Sequence, residues 1–245
     1  MRLHNNKILI TGATSGIGEA LLNGFLDLDN TIIAVGRNRE KLDELTQFDS
    51  RIIPFECDIS RQDELDRLVM FIEHHHRDTN ILINNAGIQF NYRFEDEPQP
   101  LGKIEQEIAI NFTAPVKLIS LLIPTLGMNG NAAIVNVTSG LGLVPKKQAP
   151  VYCGTKAAMH IFTKSLRWQL QNIQVFELIP PLVDTPMTAG RGRGKITPKS
   201  LVFQFLNAFE DDVLEVNIGK VTWLRRIQRL SPALADRIMK NGGER

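Results

Sequence analysis

Two cysteines, Cys57 and Cys153, are all that the 245 residues contain, and their spacing suits neither a metal cage nor a defined disulfide. That scarcity excludes a disulfide-stapled secreted scaffold and fits a reducing cytoplasm, the expected location. Bulk charge of one sign is also missing: 28 Lys and Arg face 27 Asp and Glu, a formal net charge of +1. No summed field therefore draws the chain to nucleic acid or to an anionic membrane. Long apolar runs are absent as well. The greasiest stretch, residues 118–128, is interrupted by Pro124 and falls short of the ~20 residues of a membrane span. The first residues lead directly into Ile8-Leu9-Ile10, which leaves no room for a signal peptide. No repeat, low-complexity tract or linker divides the chain, so one domain over residues 1–245 is expected.

What is present is an ordinary apolar fraction, 43%, enough for a sizeable core, laid out as short β-rich runs alternating with helical patterns. Residues 7–10, 31–35, 51–55, 80–83, 132–137 and 173–178 read as strands. Helical periodicity covers 18–27 and 39–48, and recurs at Leu65, Leu68, Val69 and Ile72. Strands that are apolar throughout belong in a sheet covered on both faces. The alternation predicts an α/β fold, a doubly wound parallel sheet of Rossmann type, with ligands at the carboxyl ends of the strands.

Between the first strand and first helix lies Thr11-Gly12-Ala13-Thr14-Ser15-Gly16-Ile17-Gly18. Glycines allow a tight turn and close backbone approach to a pyrophosphate, and a helix N-terminus offers free N–H groups to its charge. The spacing is Gly-x-x-x-Gly-x-Gly rather than the commoner dinucleotide fingerprint. The residue that reads the ribose belongs at the end of the second strand. There the chain offers Val35-Gly36-Arg37-Asn38, with Arg37 nineteen residues beyond Gly18 and no acid to grip a 2′-hydroxyl. A planar guanidinium suits a 2′-phosphate, which favours NADP over NAD.

Tyr152 and Lys156 stand four apart, and Ser139 lies thirteen residues before Tyr152. On one helix face the ammonium can lie beside the phenol. A neighbouring cation favours phenolate, so Tyr152 is expected to have a lowered pKa and to serve as proton donor and acceptor. Ser139 adds a hydroxyl able to hold a carbonyl oxygen.

With these residues in place the chain resembles the short-chain dehydrogenase/reductase superfamily over nearly its whole length. The motifs are Thr11-Gly12-x-x-x-Gly16-Ile17-Gly18, Asn84-Asn85-Ala86-Gly87, Asn111, Ser139 and Tyr152-x-x-x-Lys156. The stretches 84–89 and 150–170 further resemble a bacterial subgroup, the oxidoreductases of the D-alanine-transfer operon. The resemblance implies an NADP-dependent enzyme that interconverts a small-molecule carbonyl and alcohol by hydride transfer, with Tyr152 as acid and base. It implies that Lys156 binds ribose hydroxyls and depresses the tyrosine pKa, and that Asn111 holds a water leading from Lys156 to solvent. It also implies that Asp58 touches the adenine, that Asn85, Ala86 and Gly87 flank the adenosine ribose, and that Thr185 bonds the nicotinamide carboxamide. Thr14, Ser15 and Ile17 belong to the same cofactor set.

Two departures stand out. Pro180-Pro181 replaces the family's usual Pro-Gly beside the nicotinamide. The usual glycine-rich ending with a final strand is not evident; residues 220–245 form an atypical C-terminal segment instead. That argues against the family's tetramer and leaves a homodimer through the helices around Asn111 and Tyr152. A non-catalytic dinucleotide-sensing regulator is the alternative from another class, kept alive by Pro181. A nucleotide-sugar epimerase needs a larger substrate region than follows Thr185.

The remaining features read more blandly. His74-His75-His76 point in different directions on a helix and cannot share one ion, so no metal site is expected. Cys153 reads as a small buried residue. Residues 185–197, rich in glycine and arginine, read as a mobile substrate loop, where Arg191, Arg193 and Lys195 either meet an anionic substrate or are simply solvated. Trp223, Leu224, Ile227 and Leu230 repeat at helical spacing among arginines, a stripe expected to pack on its own body or a partner rather than on a membrane. Phe90, Tyr92, Leu141, Leu143, Val144 and Met187 are expected to line an apolar pocket.

Overall fold

The computed structural model describes residues 1–241. Its chain order is β1 (Lys7–Thr11), α1 (Gly16–Leu26), β2 (Thr31–Gly36), α2 (Arg39–Phe48), β3 (Ile52–Glu56), α3 (Gln62–His75) and β4 (Ile81–Asn84). There follow α4 (Leu101–Ile108), α5 (Ala114–Gly127), β5 (Ala133–Val137), α6 (Pro150–Gln169), β6 (Gln174–Ile179), α7 (Pro198–Glu210), β7 (Glu215–Asn217), α8 (Lys220–Leu230) and α9 (Pro232–Asn241). All seven strands are parallel, in the order β3-β2-β1-β4-β5-β6-β7.

Alternate residues of each inner strand feed opposite cores, as the two-residue period of a strand demands. Ile8 and Ile10 join Leu21, Phe25, Phe205 and Phe209 under α1 and α7. Leu9 and Ile33 face Leu65, Leu68, Leu118 and Leu122 on the other side. Phe25 meets Phe205 and Phe209 edge-on, with centroids 6.5 and 6.0 Å away, a favoured aromatic geometry. The strand order reverses between β1 and β4, so the helices after these strands leave on opposite faces and open a crevice at their carboxyl ends.

Three features depart from the sequence reading. A final strand does exist: β7 pairs with β6 through Leu178 and Val216. It is three residues long with only Val216 buried, too short for a period to register. Pro124 does not end its helix, because α5 continues through it to Gly127. Finally, α4 and α5 are joined by a π turn, Ala109–Thr113. Leu101–Gly127 is thus one continuous helix, by length and composition apolar enough to cross a membrane. Its apolar face, Leu118, Ile119, Leu122 and Leu126, is buried in the second core. Of the C-terminal segment, residues 242–245 lie outside the described residues.

Candidate active site

The glycine-rich turn is held by contacts that leave no room for side chains. Gly12 sits at φ +67°, and a Cβ on it would come within 2.9 Å of Ala86 Cα. A Cβ on Gly18 would meet the Gly12 carbonyl at 2.0 Å. The Asn85 amide donates to the carbonyls of Thr11 (3.0 Å) and Gly12 (3.1 Å). In return Thr11 Oγ1 accepts the backbone N–H groups of Asn85 and Ala86, both at 3.1 Å. Thr11, quoted in the motif without a role of its own, is thus a pin at the heart of the loop. Ser15, the residue before α1, makes no side-chain capping bond, so the first N–H groups of that helix remain to be satisfied from the crevice. Across the mouth, Arg37 Nη1 is 3.9 Å from Asp58 Oδ2, with the arginine side chain 63% exposed.

Tyr152 and Lys156 share a face of α6, both buried. The ammonium lies 5.8 Å from the phenol ring centroid and donates to the Val137 carbonyl at 2.8 Å. Burial pushes the Tyr152 phenol up to about 12, against the opposing hydrogen bond from the Ser139 hydroxyl. The expected lowering of the tyrosine pKa is therefore overturned. Removing water from around the phenolate outweighs its partners. Burial likewise pulls Lys156 down to about 8, with the Glu177 carboxylate opposing. Ser139 Oγ also accepts the Leu141 N–H at 3.1 Å, which starts the short turn Gly140–Gly142.

Asn111 sits in the π turn. Its Oδ1 accepts from Ile88 N (2.8 Å), and its Nδ2 donates to Ile88 O (2.9 Å) and to Thr155 Oγ1 (3.2 Å). It thereby ties α6 to the segment after β4. A Cβ on Gly87 would lie 3.2 Å from Asn111 Oδ1 and 3.7 Å from Lys156 Nζ, which places both groups behind that glycine.

Beneath Lys156 lies a buried set that the sequence reading missed. Glu177, fully buried in β6, receives Thr138 Oγ1 at 2.7 Å and contacts His160 Nδ1 through both oxygens at 2.9 Å. Thr138 is next to Ser139, and His160 is one turn beyond Lys156. The network braces the two catalytic-candidate elements against each other. Its signals were a carboxylate inside an apolar strand and a histidine at i+4 on the tyrosine–lysine face.

A cleft of about 1060 Å³ runs from Arg37 and Asp58, past the glycine-rich turn, to Tyr152. Of the site residues singled out from sequence, all but Gly18 and Asn111 line it. Gly18 packs under the Gly12 carbonyl, and Asn111 stands behind Gly87. Leu141 and Met187 line the far end, whereas Phe90, Tyr92, Leu143 and Val144 do not. Tyr92 instead stacks near Phe94 at 5.5 Å, and Val144 is buried. Trp223, Leu224 and Ile227 of α8 form a wall there, while Leu230 is 88% exposed. Residues 185–197 carry the short turn Pro186–Thr188 and a bridge between Val183 and Ile196. Both peptide bonds of Pro180-Pro181 are trans, and the Pro180 carbonyl accepts from Gly140 N at 3.0 Å.

The doubly wound sheet, the pinned glycine turn and the tyrosine–lysine face together define a class. The chain belongs to the short chain dehydrogenase family, whose model matches residues 6–195. Within it, the chain is similar to the oxidoreductase DltE of Bacillus subtilis, 37% identical over 94% of both chains. It is also similar to an oxidoreductase of Staphylococcus epidermidis, 30% identical over 76% of this chain and 82% of that one. Among solved structures, a short chain dehydrogenase from Burkholderia cenocepacia in complex with NADP superposes with a TM-score of 0.88 at 26% identity, covering 98% of this chain and 100% of the other. A short-chain dehydrogenase from Sphingobium yanoikuyae in complex with NADPH gives 0.81 at 25%, over 94% and 96%. One from Burkholderia phymatum in complex with NAD gives 0.84 at 17%, over 100% and 99%.

Proposed function

We propose that this protein is an NADP-dependent oxidoreductase that interconverts a carbonyl and an alcohol, with Tyr152 as general acid and base. The observation that carries the reading is the buried Tyr152 phenol, facing a cleft that the pinned glycine turn opens at its other end. The cradle fits a dinucleotide: the glycine contacts exclude any Cβ where a pyrophosphate must approach. Gly12, Thr14, Ser15, Gly16 and Ile17 would hold that group, with Asp58 at the adenine, Asn85, Ala86 and Gly87 at the ribose, and Thr185 at the nicotinamide. When bound, the dinucleotide supplies or accepts the hydride.

The chain's own residues do the rest. Ser139 orients the carbonyl oxygen. Tyr152, a neutral phenol up to about 12, is in the right form to donate the proton as the carbonyl becomes an alcohol. In the reverse direction it must ionise first, which makes oxidation the more alkaline reaction. Lys156 binds ribose hydroxyls and steadies the phenolate, and Asn111 passes protons outward through water. The preference for NADP rests on Arg37, the cation at the adenosine end. It is exposed and, among the described residues, held only by a 3.9 Å pairing with Asp58, so that it can turn onto a 2′-phosphate. The similar structures named for NADP and NADPH add support.

Calorimetric titration with NADPH and NADH tests the cofactor. Arg37→Ala should weaken NADPH by about 1.5–3 kcal/mol and leave NADH nearly unchanged; equal affinities in the parent protein would refute the preference. Tyr152→Phe should retain NADPH binding and lose carbonyl reduction. A parent protein that binds NADPH tightly yet reduces no carbonyl compound would point to a sensor instead.

We also read the outer faces of α5 and α6 as a self-association surface. Ile161 and Trp168 are 62% and 82% exposed there. Sedimentation of the parent against Trp168→Glu tests this: a dimer in the parent and a monomer in the variant is expected, and a monomeric parent rejects it.

A further inference from the structure

At the Tyr152 end of the cleft two half-buried cations lie uncompensated, apart from Arg193 and Lys220, which line the cleft but are exposed. Lys146 and Arg191 are half-buried and line the wall, yet neither is paired with a carboxylate among the described residues. Among the described lining residues the only carboxylate is Asp58, beside Arg37 at the opposite end. Glu107, another acid near the phenol, is fully buried outside the cleft wall. It accepts from Phe90 N at 2.9 Å, and burial pushes its carboxyl up toward the neutral form.

Each cation is positioned rather than adrift. The Lys146 N–H contacts Cys153 Sγ at 3.4 Å, and that thiol faces the Lys146 carbonyl at 3.9 Å. These contacts fix the lysine against the residue that follows Tyr152. The Arg191 backbone N–H donates to the Thr188 carbonyl at 3.0 Å, between Gly190 (φ +71°) and Gly192 (φ +58°). Its guanidinium lies against the Asn91 side-chain amide, whose oxygen, once the amide is turned to face the arginine, accepts from Nε and Nη1 at 3.1 Å. That partner is neutral and leaves the charge unspent. Lys195 of the same loop shows the contrast: it is consumed by Asp184 (3.1 Å) and the Thr188 carbonyl (2.7 Å). The two open cations also act on their surroundings. Burial, and then the Arg191 charge, pull the Lys146 ammonium down from its ordinary value. The same Arg191 charge reaches the Tyr152 phenol and favours its anion.

Holding like charges together in a half-dry wall is unfavourable unless an anion enters between them. The same cleft also carries apolar lining, with Leu141, Trp223, Leu224, Ile227 and Met239 among its residues. Building on the oxidoreductase reading, we infer that Lys146 and Arg191 form an anion subsite. The substrate is then a carbonyl compound, or its alcohol, that carries a carboxylate or phosphate close to the reacting carbon and an apolar body on the other side. The loop from Gly190 to Gly194 delivers Arg191 to this subsite. The apolar body rests on α8.

The test reads binding, so it does not depend on turnover. The purified chain is first titrated with NADP, and a failure there counts against the dinucleotide reading alone. Phenylacetate, benzylphosphonate and phenylacetamide are then titrated in turn, with the dinucleotide present and again without it. The anions are expected to bind at least about tenfold tighter than the amide, the scale of one lost charge-assisted contact. The better of the two anions names the group. In Lys146→Gln combined with Arg191→Gln the ratio should collapse to within about twofold, while Arg191→Lys keeps most of it. Circular dichroism verifies that each variant is folded. Equal binding of acid and amide, binding of neither, or a preference that survives the double substitution would overturn the subsite. So would a double variant whose main loss is NADP affinity, because the cations would then serve the dinucleotide.

Discussion

Replacing Lys156 by methionine isolates the electrostatic cost built into the site. In the folded protein the ammonium is buried and its pKa falls to about 8, from an ordinary 10.5. The unfolded chain keeps the ordinary value, so between these two pH values it binds up to one more proton than the folded protein. Stability therefore rises with pH across that window; the penalty is complete below about 8 and gone above 10.5. The interval corresponds to about 3 kcal/mol. Methionine is of similar length and cannot titrate, so in Lys156→Met this pH dependence vanishes. Tyr152 has the opposite sign, because a phenol raised from 10.0 to about 12 loses stability as pH climbs through that range. That titration lies above pH 10, outside the range compared, so it adds little to the difference. Urea unfolding of the two proteins at unit steps from about pH 7 to about pH 10 gives the comparison. The parent should gain about 2–3 kcal/mol on the variant over those steps. A difference that stays flat would show that Lys156 is hydrated in the folded state and would refute the burial argument.

Two further perturbations test the packing around the site. Gly18→Ala puts a methyl 2.0 Å from a backbone oxygen and 2.5 Å from Asn85 Nδ2. It should cost about 1–3 kcal/mol and abolish dinucleotide titration, whereas Gly102→Ala, with nothing within 4 Å, should stabilise α4 by about 0.5–1 kcal/mol; thermal melts of both compare them directly. Burial, then the fields of Glu64 and Asp58, push the Cys57 thiol from 9.0 to about 12. Its iodoacetamide labelling should thus run about a thousandfold slower in the native protein than in urea, and mass-spectrometric labelling at equal rates would contradict that.

The legible parts of this protein are those whose causes are local. A strand buried on both faces writes itself as a continuous apolar run, and the glycine turn and the tyrosine–lysine step are spacings within one loop or one helix. What stayed hidden depends on distance or degree. Glu177 and His160 lie seventeen residues apart and become partners only once β6 lies against α6. Lys146 belongs to no pattern; its meaning comes from Arg191, brought over by a distant loop. The chain does show that a lysine follows Tyr152 by one turn, but not how dry that turn is. The tyrosine pKa consequently went up instead of down. The strand β7 escaped because three residues with one buried side chain carry no period.

The π turn at Ala109–Thr113 gives one residue to the site. Such a turn holds one residue more than an α-helix needs. Deleting one of its residues would let the helix close into ordinary winding with Leu118, Leu122 and Leu126 still turned to the second core. Asn111 would then lose the position from which it makes both bonds to Ile88. Within 101–127 the extra residue thus serves the site rather than the core: it sets Asn111 against Ile88 while the helix on either side keeps its apolar face on the sheet.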